Sequence, residues 1–103
     1  MNIKKVLDTI IQKNEKWSDP EYCLAAVRRN GYALRYIEKQ TSEICLAAVQ
    51  ENGWALQYVR EQTPEICAAA IKQDPSSVEY VVLPSEPDKR EQFLRELAMR
   101  LAQ

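Results

Sequence analysis

An all-α fold, a short α-solenoid of three helical-hairpin repeats with a capping helix at each end, is predicted by three observations. First, a 22-residue unit recurs as 19–40, 41–62 and 63–84, with 12 of 22 positions shared by the first two units and 8 by the last two. Second, Cys23/Cys45/Cys67, Glu21/Glu43/Glu65, the Ala pairs 25–26, 47–48 and 69–70, and Tyr36/Tyr58/Tyr80 each hold one repeat position. Third, each unit carries a helix start signal and an internal break at fixed offsets. Equal spacing of this kind marks stacked units that bury their apolar surfaces on one another.

Residues 1–18 read as the N-terminal capping helix. Ile3, Val6, Leu7, Ile10 and Ile11 fall on one helical stripe, Asn2 can cap its start, and a break follows near Trp17-Ser18. Each repeat then opens with a short oxygen-bearing side chain and a Glu in the first turn: Asp19-Pro20-Glu21, Thr41-Ser42-Glu43, Thr63-Pro64-Glu65. The oxygen accepts from unpaired amides, Pro is tolerated at the first helical position, and the helix dipole favours the carboxylate there. Asn30-Gly31 and Asn52-Gly53 are expected to end these helices with a left-handed glycine. Second α-helices are expected over 32–39 and 54–61, with Asp74-Pro75 making the third break by Pro at the first turn. Beyond Pro84 the repeat decays. Ser85-Glu86-Pro87-Asp88 can start a C-terminal capping helix within 85–103, with Phe93, Leu94, Leu97, Ala98 and Leu101 on one side. Eight helices in a single domain of 103 residues result.

On the first helix of unit two, Ile44, Cys45, Leu46, Ala48, Val49 and Asn52 cover an arc of about 200°, too wide for a helix packed on one side only. Cys and Ala at its centre let neighbouring helices approach closely. The three cysteines are therefore read as packing residues, since a nucleophilic thiol needs a base or another means of lowering its pKa and the chain has no histidine. Ala55, Leu56 and Val59 are the expected core of the second element, with Tyr58 at its edge. Whether Tyr32 and Trp54 seal the units together or stand exposed as anchors is left open by the sequence.

The opposite arc holds a Glu row (Glu21, Glu43, Glu65), an Ala row (Ala25, Ala47, Ala69) and a variable row (Arg28, Gln50, Lys72). With Trp54, these Glu and variable-row residues are the candidate partner-binding set. The bland alternative is capping Glu, filler Ala and solvated charge.

Composition bounds the rest. The chain is 46% apolar and 28% charged, with net charge −1, which gives no overall attraction to nucleic acid or anionic membrane. Charge is uneven. Residues 1–40 hold eight Lys/Arg against five Asp/Glu, and 41–84 hold two against six. No run approaches the ~20 apolar residues of a membrane span, and the N-terminus does not read as a signal peptide. Only two glycines are present, which rules out a Gly-rich phosphate cradle, and three cysteines 22 apart form no metal-binding pair. The expectation is a cytoplasmic protein with no metal or cofactor and no catalytic residue.

The phrases Cys23-Leu24-Ala25-Ala26-Val27 and Cys45-Leu46-Ala47-Ala48-Val49, each followed by Asn-Gly, an aromatic, Ala-Leu and Tyr, resemble the repeat family called domain of unknown function 4116. The resemblance covers residues 19–84. It implies a helical repeat module of bacterial, phage or large-virus origin, and no reaction or cofactor comes with it. The leading functional expectation is a non-enzymatic protein–protein interaction module, an adaptor or an inhibitor occupying a partner's surface. Single-stranded nucleic-acid binding through Arg28, Arg29, Tyr32, Arg35, Tyr36 and Lys39 is the alternative, opposed by the acidic second and third units. Self-association is a further possibility.

Overall fold

A computed structural model describes residues 3–6 and 16–103. Its regular elements, in order, are α1 (Pro20–Arg29), η1 (Gly31–Tyr36), α2 (Ser42–Glu51), η2 (Gly53–Tyr58), α3 (Pro64–Gln73), η3 (Pro75–Tyr80) and α4 (Pro87–Leu101), where η denotes a 3-10 helix. No strand occurs among the described residues. Consecutive helices pack on one another: α1 on α2, α2 on α3, α3 on α4, and η1 on η2 on η3.

The predicted caps are in place. Asp19 Oδ1 accepts from the Glu21 amide at 3.0 Å, and Thr41 and Thr63 Oγ1 accept from Ile44 and Ile66 at 3.2 Å. Each bond satisfies an amide that the helix itself leaves unpaired. Cys23, Val27, Ile44, Cys45, Ala48, Val49, Ile66, Cys67, Ala68 and Ala70 are buried, as the wide apolar arc requires. Leu34 and Leu56 of the 3-10 helices are completely buried, each contributing about 1.5–3 kcal/mol.

Two expectations are corrected. The second element of each unit is a six-residue 3-10 helix, beginning at Gly31, Gly53 or Pro75, not an α-helix over 32–39 or 54–61. Asn30 Oδ1, Asn52 Oδ1 and Asp74 Oδ1 accept from Tyr32, Trp54 and Ser76 amides at 3.0 Å, and three-residue backbone bonds such as Ile37 N to Leu34 O (3.1 Å) close the turns. The tighter coil rises about 2 Å per residue, so six residues run back nearly as far as an eight-residue α-helix. Ile37, Val59 and Val81 then leave in extended backbone, a conformation β-branched residues favour. All three units thus break by one device, an Asx side chain, and not by two routes.

Neither glycine has a positive φ. Their role is close approach: a Cβ on Gly31 would stand 2.4 Å from Ala48 O, and one on Gly53 would stand 2.5 Å from Ala70 O. The position faces the next unit's helix, and unit three, which has no such helix beside η3, carries Pro75 instead.

At the C-terminal end, α4 covers α3 with Phe93 and Leu97, but Leu94 and Leu101, expected on the same buried side, are 44% and 38% exposed. The helix starts at Pro87 without a side-chain cap. Val78, in the register of Leu34 and Leu56, is 60% exposed because α4 does not cover η3 as α2 and α3 cover η1 and η2. At the other end, residues 3–6 are helical, with Ile3 and Val6 exposed. The expected Asn2 cap and Leu7, Ile10 and Ile11 lie outside the described residues.

Candidate functional site

The helices α1 to α4 run side by side in one direction. Thr41, Ser42, Thr63 and Ile66 line one recess at the N-terminal ends of α2 and α3, and Gly31 meets Ala48 and Asn52 near the C-terminal end of α2. Pro64 lies with Lys89, Gln92 and Phe93, while Lys72 and Gln73 lie with Arg100 and Gln103, so α4 is parallel to α3. A fixed position on the repeat therefore becomes a row running across the helices.

Two shallow grooves follow from this. Arg28, Glu43, Leu46, Ala47, Gln50 and Glu51 line the first. The second is lined by Leu46, Gln50, Glu65, Ala68, Ala69 and Lys72, closed at its far side by Arg100 and Gln103. Half-buried Leu46, Ala47 and Ala69 form the floor, since an Ala at these positions leaves little side chain to fill the space between ridges. Arg28, Glu43, Gln50, Glu65 and Lys72 are thus brought together, and Gln50 belongs to both grooves. Glu21 is exposed in the first turn of α1 and lines neither.

Trp54 does not join them. It sits on η2, 41% exposed, where its Nε1 donates to Ser76 Oγ at 2.7 Å and its ring meets Tyr80 edge-on at 6.4 Å. Tyr32 meets Tyr58 in the same way at 6.0 Å, and Trp17 packs on Tyr36 at 5.9 Å. These rings join each unit to the next. Arg35 adds to the seam, its guanidinium lying over both Tyr36 and Tyr58.

Among the described residues, the side chains of Glu21, Arg28, Glu43, Gln50, Glu65, Lys72 and Arg100 make no ion pair or hydrogen bond, whereas Lys89–Glu86 and Arg95–Glu91 pair on or beside α4. Two seven-residue steps of opposite sign, Glu21 to Arg28 and Glu65 to Lys72, lie two turns apart, beyond contact distance.

The polar residues that sequence reasoning missed are structural. Gln40 Nε2 donates to Tyr58 O at 2.8 Å while its Oε1 accepts from the Arg60 amide at 3.1 Å. Gln62 repeats this one unit on, with Tyr80 O at 2.9 Å and the Val82 amide at 2.8 Å. Each Gln satisfies backbone groups that the short 3-10 turns leave open, and its identity at the last repeat position was the available signal. Arg100 and Gln103 lie outside the repeat, so no register pointed to them.

The buried thiols point inward. Cys45 Sγ and Cys67 Sγ donate to Gln40 and Gln62 Oε1, and Cys23 Sγ donates to Trp17 O at 3.1 Å. Burial pushes Cys45 and Cys67 up to about 11 and also raises Cys23, which the nearby Asp19 charge reinforces. All three stay protonated near neutral pH, the opposite of an activated nucleophile. No group of His, Cys, Asp or Glu among the described residues can hold a metal ion, and no helix there is long and apolar enough to cross a membrane.

No curated protein and no solved structure matches the chain. A family model described as Domain of unknown function (DUF4116) matches residues 19–63 and, one 22-residue unit later, residues 41–81. The two placements together take in more than half of the chain, from the first cap at Asp19 to the end of η3, and the protein belongs to that family.

Proposed function

We propose that the protein is a non-enzymatic protein-binding module: a single-domain α-solenoid of units 19–40, 41–62 and 63–84, capped by 1–18 and 85–103, working in the cytoplasm. Its docking face is the outer side of α1 to α4. One observation carries the reading. Among the described residues, charged and polar side chains of this face stand unengaged above a floor of Leu and Ala, whereas the polar side chains Gln40 and Gln62 are fully committed to internal bonds. Rigid parallel helices hold such groups at fixed spacing, which limits the ordering cost of binding. The nucleic-acid alternative draws less support, because Arg35, Tyr32 and Tyr36 are engaged in the seams between units.

The test is capture of partners from host lysate by the full chain and by its Gln50→Glu/Lys72→Glu variant, with a photo-crosslinking residue placed at Ala47 or at Trp54. A protein captured by the parent chain, lost with the variant and crosslinked from position 47 is the expected result. Equal capture by both chains with crosslinking only from position 54 would transfer the site to the 3-10 layer and remove the proposal.

A further inference from the structure

Resting on that reading, we infer that the element bound on this face is a single amphipathic α-helix of the partner, lying across α1 to α4, with acidic side chains along one edge and basic ones along the other.

Three features of the face select this occupant. The Glu row and the Arg28/Lys72 row are seven residues apart along each helix, about 10 Å at 1.5 Å per residue, which matches the 10–12 Å diameter of an α-helix with its side chains. The floor between the rows is Leu46, Ala47, Ala68 and Ala69, low enough for a helical ridge of apolar side chains to settle on it. An extended peptide gains affinity mainly from main-chain hydrogen bonds to a sheet edge, and this face is built of helices whose interior amides and carbonyls are already paired.

The charges then fix the edges. Glu43 and Glu65 face the basic edge of the partner helix. Arg28, Lys72 and Arg100 face its acidic edge, with Gln50 as the neutral member of that row. Arg100 extends the cationic edge onto a fourth helix. Three interaxial steps of 8–10 Å give a track of about 24–30 Å, the length of a helix of about 16–20 residues.

The probes are 18-residue synthetic peptides, stapled to hold them helical, sharing one Leu/Ala stripe. One carries Glu on one edge and Lys on the other, a second has Glu on both edges, and a third has Lys on both. A fourth, unstapled and broken by central prolines, keeps the composition of the first. Binding to the full chain is read by fluorescence anisotropy and located by amide shifts of the ¹⁵N-labelled protein. The expected result is at least tenfold tighter binding of the two-signed helix, with shifts at Ala47, Ala69 and Arg100. Equal binding by the single-signed helices, or by the proline-broken peptide, overturns the inference. No binding at that face by any peptide at millimolar concentration also overturns it. If the crosslinked partner still depends on Gln50 and Lys72 in that case, the docking face stands and only the helix is lost. If it does not, both readings fall.

Discussion

The two layers of this protein carry polar residues at the same 22-residue spacing and use them in opposite ways. On the 3-10 side, Gln40 and Gln62 each bridge two carbonyls and an amide of two successive units, and Trp54 is tied to Ser76. On the outer side of the α-helices, the side chains of Glu43, Gln50, Glu65 and Lys72 make no hydrogen bond or ion pair among the described residues. The difference teaches how to separate structural from available polarity in a repeat protein. Periodicity alone marks both, whereas hydrogen bonding marks only the first. The substitutions below test that contrast.

The largest effect is expected where the 3-10 layer meets the next helix with no room to spare. Gly53→Ala places a methyl 2.5 Å from Ala70 O and Ser77 Oγ and 3.0 Å from Gln73 Oε1. Two of these partners are side-chain atoms, but the Ala70 carbonyl is helix backbone and does not rotate away. The expected loss is about 2–3 kcal/mol by urea unfolding, the upper range for overpacking. A variant as stable as the parent would mean that the units are not packed this closely. Gln62→Leu follows, at about 1–3 kcal/mol, since it leaves Tyr80 O and the Val82 amide without their partner, while Leu56 O keeps the Val59 amide. The same measurement on Gln62 and on Gln50 sharpens the comparison directly, because only the former is expected to respond.

Ser77→Ala runs the other way. Ser77 is completely buried in η3, its Oγ has no partner, and units one and two carry Ala33 and Ala55 at this position. Removing an unsatisfied buried hydroxyl while keeping the Cβ is expected to stabilise the chain by about 1 kcal/mol. A loss of stability in the thermal melt would show that the hydroxyl has a partner after all.

What was legible in the sequence follows the same division. Helix starts were readable because a cap is local chemistry: Asp19, Thr41 and Thr63 act within three residues of themselves. The apolar arc through Cys45 and Ala48 was readable because helical period maps directly to burial. The second elements were misread as α-helices because a 3-10 turn and a short α-helix place apolar residues almost alike over six residues. The glycines were assigned to a left-handed turn when their cause is Ala48 and Ala70, about 17 residues further on and invisible to local reasoning. Leu94 and Leu101 read as core because amphipathic pattern gives the width of an apolar face, not how much of it a neighbour covers. The candidate set was found by repeat register, which placed Arg28, Glu43, Gln50, Glu65 and Lys72 along the same two grooves and could not include Arg100. Trp54 was left open between seam and anchor because an exposed indole and one engaged with the next unit look identical in one sequence.

The smallest effect on stability is expected on the outer face, and it is the sharpest test of the contrast. Arg28→Glu and Lys72→Glu, alone or together, alter side chains that make no hydrogen bond or ion pair among the described residues, so each is expected to change the unfolding free energy by less than about 0.5 kcal/mol. Together they turn the cationic edge acidic beside Glu43 and Glu65, so the modest expected loss is largest for the pair at low salt and shrinks as ionic strength rises. The same pair should abolish preferential binding of the two-signed helix while leaving the fold intact. If the double variant instead unfolds by several kcal/mol, these residues are structural like Gln62, and the distinction between the two layers fails.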